Sequence, residues 1–204
     1  MDHLVFAVPD LVQGIERMER LTGVRAQLGG QHPGRGTHNA LLSLGGRQYL
    51  EIIAIDPRQG EPQGLLFPEL EGLRAPRLIA WAVAVASLAD TARRAKAANL
   101  TSVGPLPGAR VQADGAMLSW KTLRVSSAAI PGLPFFIEWG DGAAHPSQTS
   151  PLGCELVSLV IEHPTVEEMR RALISLGVEA VVRPGPRFAL KARLKTPKGD
   201  VDLN

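Results

Sequence analysis

The sequence contains little of what marks several large classes of protein. It has a single cysteine, Cys154, so no disulfide can form within the chain. No apolar run approaches the roughly 20 residues of a membrane-spanning helix, and the segment after Met1 lacks a signal-like pattern. Lysine and arginine barely exceed aspartate and glutamate, 22 against 20, so the overall basic excess typical of nucleic-acid-binding proteins is missing. We therefore expect a cytoplasmic protein that binds neither membranes nor nucleic acids.

One basic cluster stands out despite this balanced charge. Residues 183–198 contain six lysines and arginines and no acidic residue. From position 187 onward the basic residues alternate with Phe188, Leu190, Ala192 and Leu194. This period of two is typical of a half-buried strand whose charged face lies in water, and an anion- or nucleic-acid-binding role is the alternative.

The apolar pattern repeats the order β-α-β-β-β three times in a chain of 204 residues that is 45% hydrophobic. The first copy covers residues 3–8, 10–21, 25–28, 37–44 and 48–55. The second covers residues 77–85, 88–98, 111–113, 116–125 and 134–139. The third covers residues 155–162, 165–176, 178–183, 187–196 and 200–203. Such internal repetition predicts an architecture of similar modules.

Local signals mark the ends of several of these elements. The dipeptides Gly45-Gly46 and Asp114-Gly115 favour tight hairpin turns. Thr165, followed three residues later by Glu168, predicts a capping box at the start of the third helix.

Two acidic residues occupy similar places in the first two copies. Glu51 and Glu138 both lie in closing strands that are otherwise apolar, where an ionised side chain is costly without a partner. His3 lies in the opening strand. One histidine and two carboxylates on one sheet can bind a divalent metal, and this oxygen-rich set favours Mn²⁺, Mg²⁺ or Fe²⁺ over structural Zn²⁺, with Ni²⁺ also to be tested. The alternative is that the acids bond neighbouring histidines and backbone groups around a polar cavity without an ion.

Other polar and aromatic residues are candidates for binding a substrate. His38 and Asn39 follow a glycine-rich connector, and either one could polarise a substrate carbonyl or supply a further ligand. The alternative is that Asn39 bonds the loop backbone and His38 is a surface residue. Trp81 and Trp120 are candidates for the wall of a substrate cavity, with core packing as the alternative. Strand alternation assigns Glu138 to one face and Trp139 to the other, so Trp139 is expected in the core.

The pattern as a whole resembles the vicinal oxygen chelate superfamily and, more narrowly, the glyoxalase-like domain family of bacterial proteins. The segments that carry the resemblance are residues 2–5 (DHLV), 29–41 (GGQHPGRGTHNAL), 49–51 (YLE), Arg110 with 114–115 (DG), 118–120 (LSW), 133–139 (LPFFIEW) and 145–146 (HP). The resemblance implies an α+β fold in which βαβββ modules 1–74 and 75–150 form a cupped mixed sheet. Residues 151–204 would form a third βαβββ-like module for packing or dimerisation, which implies a homodimer.

The resemblance also implies where the site lies. In that superfamily, metal ligands come from the first and last strands of both modules, and His3, Glu51 and Glu138 match three of these positions. The fourth falls on Ala80 or Trp81, neither of which binds a metal. The implied activity is that of a glyoxalase-like lyase, isomerase or dioxygenase whose metal chelates two neighbouring substrate oxygens, with Glu138 as general base. The alternative is a metal-free protein of the bleomycin-resistance type that sequesters a small molecule, so the resemblance leaves open whether the chain is an enzyme.

Overall fold

The computed structural model describes residues 1–60, 67–111, 117–142 and 144–204. The first unit contains β1 (His3–Ala7), α1 (Leu11–Thr22), β2 (Gln27–His32), β3 (Thr37–Ser43) and β4 (Tyr49–Ile55). The second contains β5 (Arg77–Ala84), α2 (Leu88–Ala97), β6 (Thr101–Val111), β7 (Met117–Ser126) and β8 (Phe135–Trp139). After the short helix α3 (Pro146–Thr149), the third contains β9 (Glu155–His163), α4 (Val166–Leu176), β10 (Val181–Pro184), β11 (Ala189–Thr196) and β12 (Gly199–Leu203).

The first two units share one eight-stranded sheet, in the order β2-β3-β4-β1-β5-β8-β7-β6. Within each unit the first strand pairs in parallel with the last, β1 with β4 and β5 with β8. Antiparallel pairing of β1 with β5 joins the two halves. The outer strands β2 and β6 contact each other, so the sheet curls into a cup. The α+β fold with a cupped mixed sheet, predicted from the sequence, is confirmed.

Alternation along the strands separates the two faces of this cup. On β1, Leu4 and Phe6 join the main core beneath α1, whereas His3 faces the inside of the cup. On α1, Leu11, Ile15 and Met18 recur at helical spacing and are buried in the same core. Each such side chain contributes about 1.5–3 kcal/mol when it is fully buried. The main core therefore lies on the outer side of the cup and leaves the inner side for a site.

The third unit repeats the order of elements but not the strand pairing. Its four-stranded sheet has the order β10-β9-β11-β12, so its first strand lies inside the sheet and pairs in parallel with its second. Its strands and α4 pack against β5, α1 and α2 and bury Leu190, Leu194 and Leu203 in the main core. The third unit therefore resembles the first two in the order of its elements along the chain but not in its strand pairing.

Several local predictions can be compared with the structure. Gly45 and Gly46 have φ of 82° and 54° and form the predicted turn between β3 and β4. The predicted capping box at α4 is wrong, because the Thr165 side chain makes no cap hydrogen bond. Instead, Thr165 N donates to His163 Nδ1 over 3.1 Å. The predicted Asp114-Gly115 turn lies outside the described residues.

Two strands are longer than predicted, and a third shows the predicted alternation of buried and exposed residues. β2 continues into the glycine-rich connector as far as His32, and β6 begins ten residues before the predicted 111–113 strand. On β11, buried and exposed residues alternate as predicted. Its outward Lys191 and Arg193 pair with Glu162 and Asp202, which agrees with a solvated charged face. In the described part of the chain, no helix has both the length and the apolar character needed to span a membrane.

Candidate functional site

The inside of the cup encloses a cavity of about 440 Å³. This volume falls within the range of roughly 300–1,000 Å³ common for small-molecule sites. Its walls are mostly apolar and aromatic and are formed by Leu41, Tyr49, Phe67, Leu106, Leu118, Trp120, Phe135, Ile137 and Trp139. Its polar lining comprises His3, His32, Arg35, Asn39, Glu51, Thr122 and Arg124. A few polar groups within an apolar hollow are typical of a binding or catalytic site.

His3 is held in one orientation by its neighbour in the chain. Its Nδ1 lies 2.6 Å from Asp2 Oδ1, and both side chains are buried. Because an ionised carboxylate only accepts, His3 Nδ1–H is the donor, and the neutral imidazole then carries its lone pair on Nε2. The ring stacks on Tyr49 at 4.5 Å between centroids and meets the edge of Phe135 at 5.3 Å. Nε2 is thereby directed towards Glu51 in the cavity, with 3.9 Å between Nε2 and Oε2.

Asp2 is the centre of a buried hydrogen-bond network. Its Oδ2 accepts from Trp139 Nε1 and from His145 Nε2, each over 3.0 Å. Ser147 N donates to His145 Nδ1, which fixes the proton of that ring on Nε2. Burial alone would raise the pKa of Asp2, but the hydrogen bonds from His145, His3 and Trp139 outweigh it and hold the pKa well below the ordinary aspartate range. Asp2 is therefore a fixed negative charge behind His3.

Glu51 is held from the opposite side by an amide. Asn39 Nδ2 donates to Glu51 Oε1 over 2.7 Å, and both residues are buried. The second imidazole of the cavity, His32, has its Nε2 3.8 Å from the same oxygen, while its Nδ1 contacts Thr37 Oγ1 at 2.8 Å. Glu51 Oε2 remains directed towards His3. The arrangement places a carboxylate and an oriented imidazole side by side, which is suited to moving a proton.

Glu138 does not join this cluster. Its Oε2 accepts from the backbone N of Leu88 over 2.8 Å, at the start of α2 on the outer side of the sheet. Trp139 and Ile137, the residues on either side of it, line the cavity instead. The faces of β8 are therefore the reverse of those expected from the sequence, and Glu138 stabilises a helix N-terminus.

The strand register explains this one-residue shift. His3 lies opposite Tyr49 in the first half, and Ala82 lies opposite Phe135 in the second. Two residues beyond Tyr49 is Glu51, and two residues beyond Phe135 is Ile137. The counterparts of His3 and Glu51 are therefore Ala82 and Ile137, rather than Trp81 or Ala80 and Glu138.

The metal implied by the fold does not fit this set of residues. Of the four positions related by register, only His3 and Glu51 carry a donor atom, and one oxygen of Glu51 is already bonded to Asn39. His32 approaches that same oxygen, so the three side chains do not surround a common point through free donors. Among the described residues, no group of three or more His, Cys, Asp or Glu side chains is arranged to hold a metal ion.

The predicted substrate-binding residues divide between the cavity and the outer side of the sheet. Asn39 and Trp120 line the cavity. Trp81 is 1% exposed in the main core, where its Nε1 donates to Gly132 O over 3.1 Å. His38 alternates with Asn39 on β3 and does not line the cavity; its Nδ1 lies 3.9 Å from Asp56 Oδ1. Burial lowers the pKa of His38, with the charge of Asp56 opposing this effect.

Three residues of this hydrogen-bond network and cavity lining were not assigned to the site from the sequence. Trp139 was assigned to the core, and Asp2 and His145 were noted only within the segments 2–5 and 145–146 that carry the family resemblance. The contacts of Asp2 with Trp139 and His145 join positions 137 and 143 residues apart, which no local pattern indicates. The only local signal was the Asp2-His3 dipeptide at the start of a buried strand.

A cup of two βαβββ halves, with its polar cluster between the first and last strands of one half, defines a protein of the vicinal oxygen chelate fold. The family model described as a glyoxalase-like domain matches residues 1–177, and the chain belongs to this family. No curated protein sequence matches the chain.

Solved structures share the fold at low sequence identity. A hypothetical protein from Staphylococcus aureus is similar over 98% of this chain and 83% of that chain, with 13% identity and a TM-score of 0.66. Methylmalonyl-CoA epimerase from Mycobacterium tuberculosis is similar over 67% of this chain and 85% of that chain, with 20% identity and a TM-score of 0.46. A hypothetical protein from Bacillus halodurans C-125 is similar over 71% and 96%, with 17% identity and a TM-score of 0.47. These similarities concern the fold and not the activity.

Proposed function

We propose that this protein is a small-molecule isomerase or lyase that moves a proton at a carbon next to a carbonyl group. Glu51 and His3 form the acid–base pair, and Asp2 is the positioning residue that fixes the tautomer of His3. The observation that carries the proposal is the 3.9 Å separation of His3 Nε2 and Glu51 Oε2 within an apolar cavity, each group held by its own buried partner.

The proposed step uses only these side chains. The carboxylate of Glu51 takes a proton from the substrate carbon, and the electron pair of the C–H bond moves to the carbonyl oxygen as an enolate. Return of the proton to the opposite face of the same carbon, directly or after transfer to His3 Nε2, inverts the configuration there. If that carbon carries a hydroxyl group, the hydroxyl proton passes to the enolate oxygen and the returned proton adds to the former carbonyl carbon, so the carbonyl and hydroxyl groups exchange places. Departure of a leaving group from the enolate instead gives a lyase. A positioned base of this kind contributes about 10²–10⁴-fold to the rate.

Deuterium exchange tests the proton-transfer step by itself, whatever the overall reaction is. Candidate carbon acids (2-oxo acids, hemithioacetals and thioesters) are incubated with the protein in D₂O, and loss of the C–H signal is followed by NMR. We expect exchange with the native protein and its loss in Glu51→Gln and His3→Gln. Glu138→Gln is the matched control, because it makes the same chemical change at a carboxylate outside the cavity. Exchange abolished by Glu138→Gln and retained by Glu51→Gln would overturn the assignment.

The same experiment examines the metal hypothesis derived from the sequence. We expect exchange to continue after dialysis against a chelator, because the cavity has too few free donors for an ion. Exchange that stops in the chelator and returns only with Mn²⁺, Fe²⁺, Mg²⁺, Zn²⁺ or Ni²⁺ would support a metal at His3 and Glu51 instead.

Sequestration of a small molecule without catalysis is the second candidate. Trp120 and Trp139 favour it, since their rings lie 5.8 Å apart on one wall of the cavity and offer a surface for a planar apolar ligand. Saturable quenching of tryptophan fluorescence by a compound whose protons do not exchange would support this alternative.

A further inference from the structure

Two arginines line the same cavity as the acid–base pair. Arg35 lies in the turn between β2 and β3, and Arg124 lies on β7. Both side chains are half-buried. Arg35 forms no ion pair with any acid of the described residues, and Glu51 is the only carboxylate of the described lining. Among the described residues, the lining therefore combines two permanent positive charges with one carboxylate.

Arg124 lies in apolar surroundings. Its Cζ is 4.8 Å from the centroid of Phe67 and 5.9 Å from that of Phe135. Burial lowers the pKa of Arg124; the negative charge of Glu69 opposes this, and the positive charge of Arg35 adds to it. Arginine nevertheless stays protonated in proteins, so both guanidinium groups in the lining of the cavity keep their positive charge. A ligand anion bound to these groups would reduce the repulsion between them.

From this arrangement we infer that the substrate is a small amphipathic anion whose carboxylate or phosphate group binds to Arg35 and Arg124. The planar guanidinium group matches both anions with paired hydrogen bonds. The apolar part of the molecule lies against Trp120 and Trp139. The inference rests on the proposed function in one respect, namely that the bound molecule is the one whose proton is moved.

Strand register indicates how the bound anion relates to the reacting groups. Arg124 lies opposite Phe135 on the neighbouring strand, and the Phe135 ring meets the edge of His3 at 5.3 Å. One aromatic ring thus separates the anion site from the imidazole. The anionic group and the reacting carbon are therefore different parts of the substrate, and the arginines hold one while Glu51 acts on the other.

Probe compounds of matched shape can test the charge requirement. 4-Phenylbutyrate, phenyl phosphate and neutral 4-phenylbutyramide are titrated against the protein, and binding is followed by tryptophan fluorescence. Two of the three tryptophans line the cavity, and buried Trp81 supplies a constant background. We expect one or both anions to bind more tightly than the amide, by about 10- to 100-fold for hydrogen bonds to a charged group. Comparison of the two anions distinguishes a carboxylate site from a phosphate site.

Variants assign that preference to the two arginines. Arg35→Gln and Arg124→Gln should each lose most of it while binding the amide as the native protein does. Arg124→Lys keeps the positive charge but not the planar guanidinium group, so it should lose only part of the preference for anions. It replaces Arg124→Gln in the test if that variant folds poorly. Arg47→Gln, at an exposed turn away from the cavity, is the matched control and should bind like the native protein. Equal binding of anions and amide by the native protein, or an unchanged preference in both glutamine variants, would overturn the inference.

Glu51→Gln separates this inference from the proposed function. The variant should bind 4-phenylbutyrate at least as tightly as the native protein, because it removes a negative charge from the cavity, while it loses deuterium exchange. Anion binding through the arginines without exchange in any candidate carbon acid would leave the anion site standing and refute the acid–base proposal. Deuterium exchange without any preference for anions would refute the anion site and leave the acid–base proposal standing.

Discussion

Gly29 keeps open the space that Asn39 needs in order to hold Glu51. It is the extra residue at a register shift between β2 and β3, where the pairing passes from Leu28 to Gly30. A Cβ placed on Gly29 would clash with Asn39 Oδ1 and lie 3.0 Å from Leu41 Cγ. Gly29→Ala must therefore displace the Asn39 amide, whose Nδ2 donates to Glu51 Oε1.

The expected effect has two parts. Overpacking costs about 1–3 kcal/mol of unfolding free energy. For a chain of this size, each kcal/mol lowers the melting temperature by about 2–4 °C. Loss of a hydrogen bond to a carboxylate removes about 1.5–3 kcal/mol of the interaction free energy that holds Glu51 in place. Exchange catalysed by Glu51 should then fall by roughly 10- to 150-fold, since each 1.4 kcal/mol corresponds to about a factor of ten.

Calorimetry and the deuterium-exchange assay measure the two parts separately. Gly60→Ala is the matched control, because no atom of the described residues lies within 4 Å of a Cβ at Gly60. In the Asn39→Ala background the clash with Oδ1 is absent, so adding Gly29→Ala should cost clearly less than it does alone. Native melting and native exchange in Gly29→Ala, or equal costs in the two backgrounds, would refute the proposed chain from Gly29 through Asn39 to Glu51.

Four further predictions follow from individual contacts. Asp2→Asn should slow exchange by at least about 10-fold, within the contribution expected of a positioned base. The pKa of Asp2 is lower in the folded protein than in the unfolded chain, so its ionised carboxylate stabilises the fold fully above the ordinary aspartate range, and this stabilisation is lost on acidification. The difference in melting temperature between the native protein and Asp2→Asn should therefore shrink as the pH falls towards 3. His38→Gln should leave exchange unchanged and flatten the loss of stability below about pH 6.5, since a lowered histidine pKa favours the folded state only while the ring is neutral. Glu138→Ala should lower the melting temperature by a few degrees without affecting exchange, because Leu88 N loses its acceptor and a helix cap contributes about 0.5–2 kcal/mol. The homodimer expected from the sequence should appear in light scattering at high concentration, and Val181→Lys should weaken it if the outer face of the third unit, where Val181 is 52% exposed, forms the contact.

The order of helices and strands could be predicted because hydrophobic periodicity repeats with the elements themselves, whereas the cupped sheet was implied by the family resemblance. The strand of residues 3–8 and the helix of residues 10–21 were predicted within a residue or two of β1 and α1, since both carry long and regular apolar patterns. The start of β6 was not predicted, because residues 101–110 include two prolines and two glycines and no clear alternation. The strand order of the third unit depends on which strands pair, and local sequence does not determine this.

The site could be predicted only in its first half. His3 and Glu51 were identified because each interrupts a buried apolar strand, which is a local signal. Glu138 gives the same signal on β8 but faces the opposite way, because the side on which a residue lies depends on pairing with β5 and changes with a shift of one position. A polar residue in an apolar strand thus indicates that it has a partner, but not whether the partner is a ligand or the end of a helix.

Comparison of the two halves suggests a division of roles within one cavity. The positions that carry His3 and Glu51 in the first half carry Ala82 and Ile137 in the second, so the strand pair β5–β8 contributes apolar wall where β1–β4 contributes acid and base. The second half supplies Trp120, Trp139 and Arg124 instead. A duplicated module can specialise in this way because each half closes its part of the sheet with buried backbone pairing, whichever side chains face inward.

Exchanging the inner residues would test this argument. Ile137→Glu should place a carboxylate opposite Glu51 and create the additional donor that an ion needs. Mn²⁺ should therefore raise the melting temperature of this variant and not that of the native protein. An equal rise in both would show that the native cavity already binds the ion, and no rise in either would show that the two inner positions do not face each other closely enough.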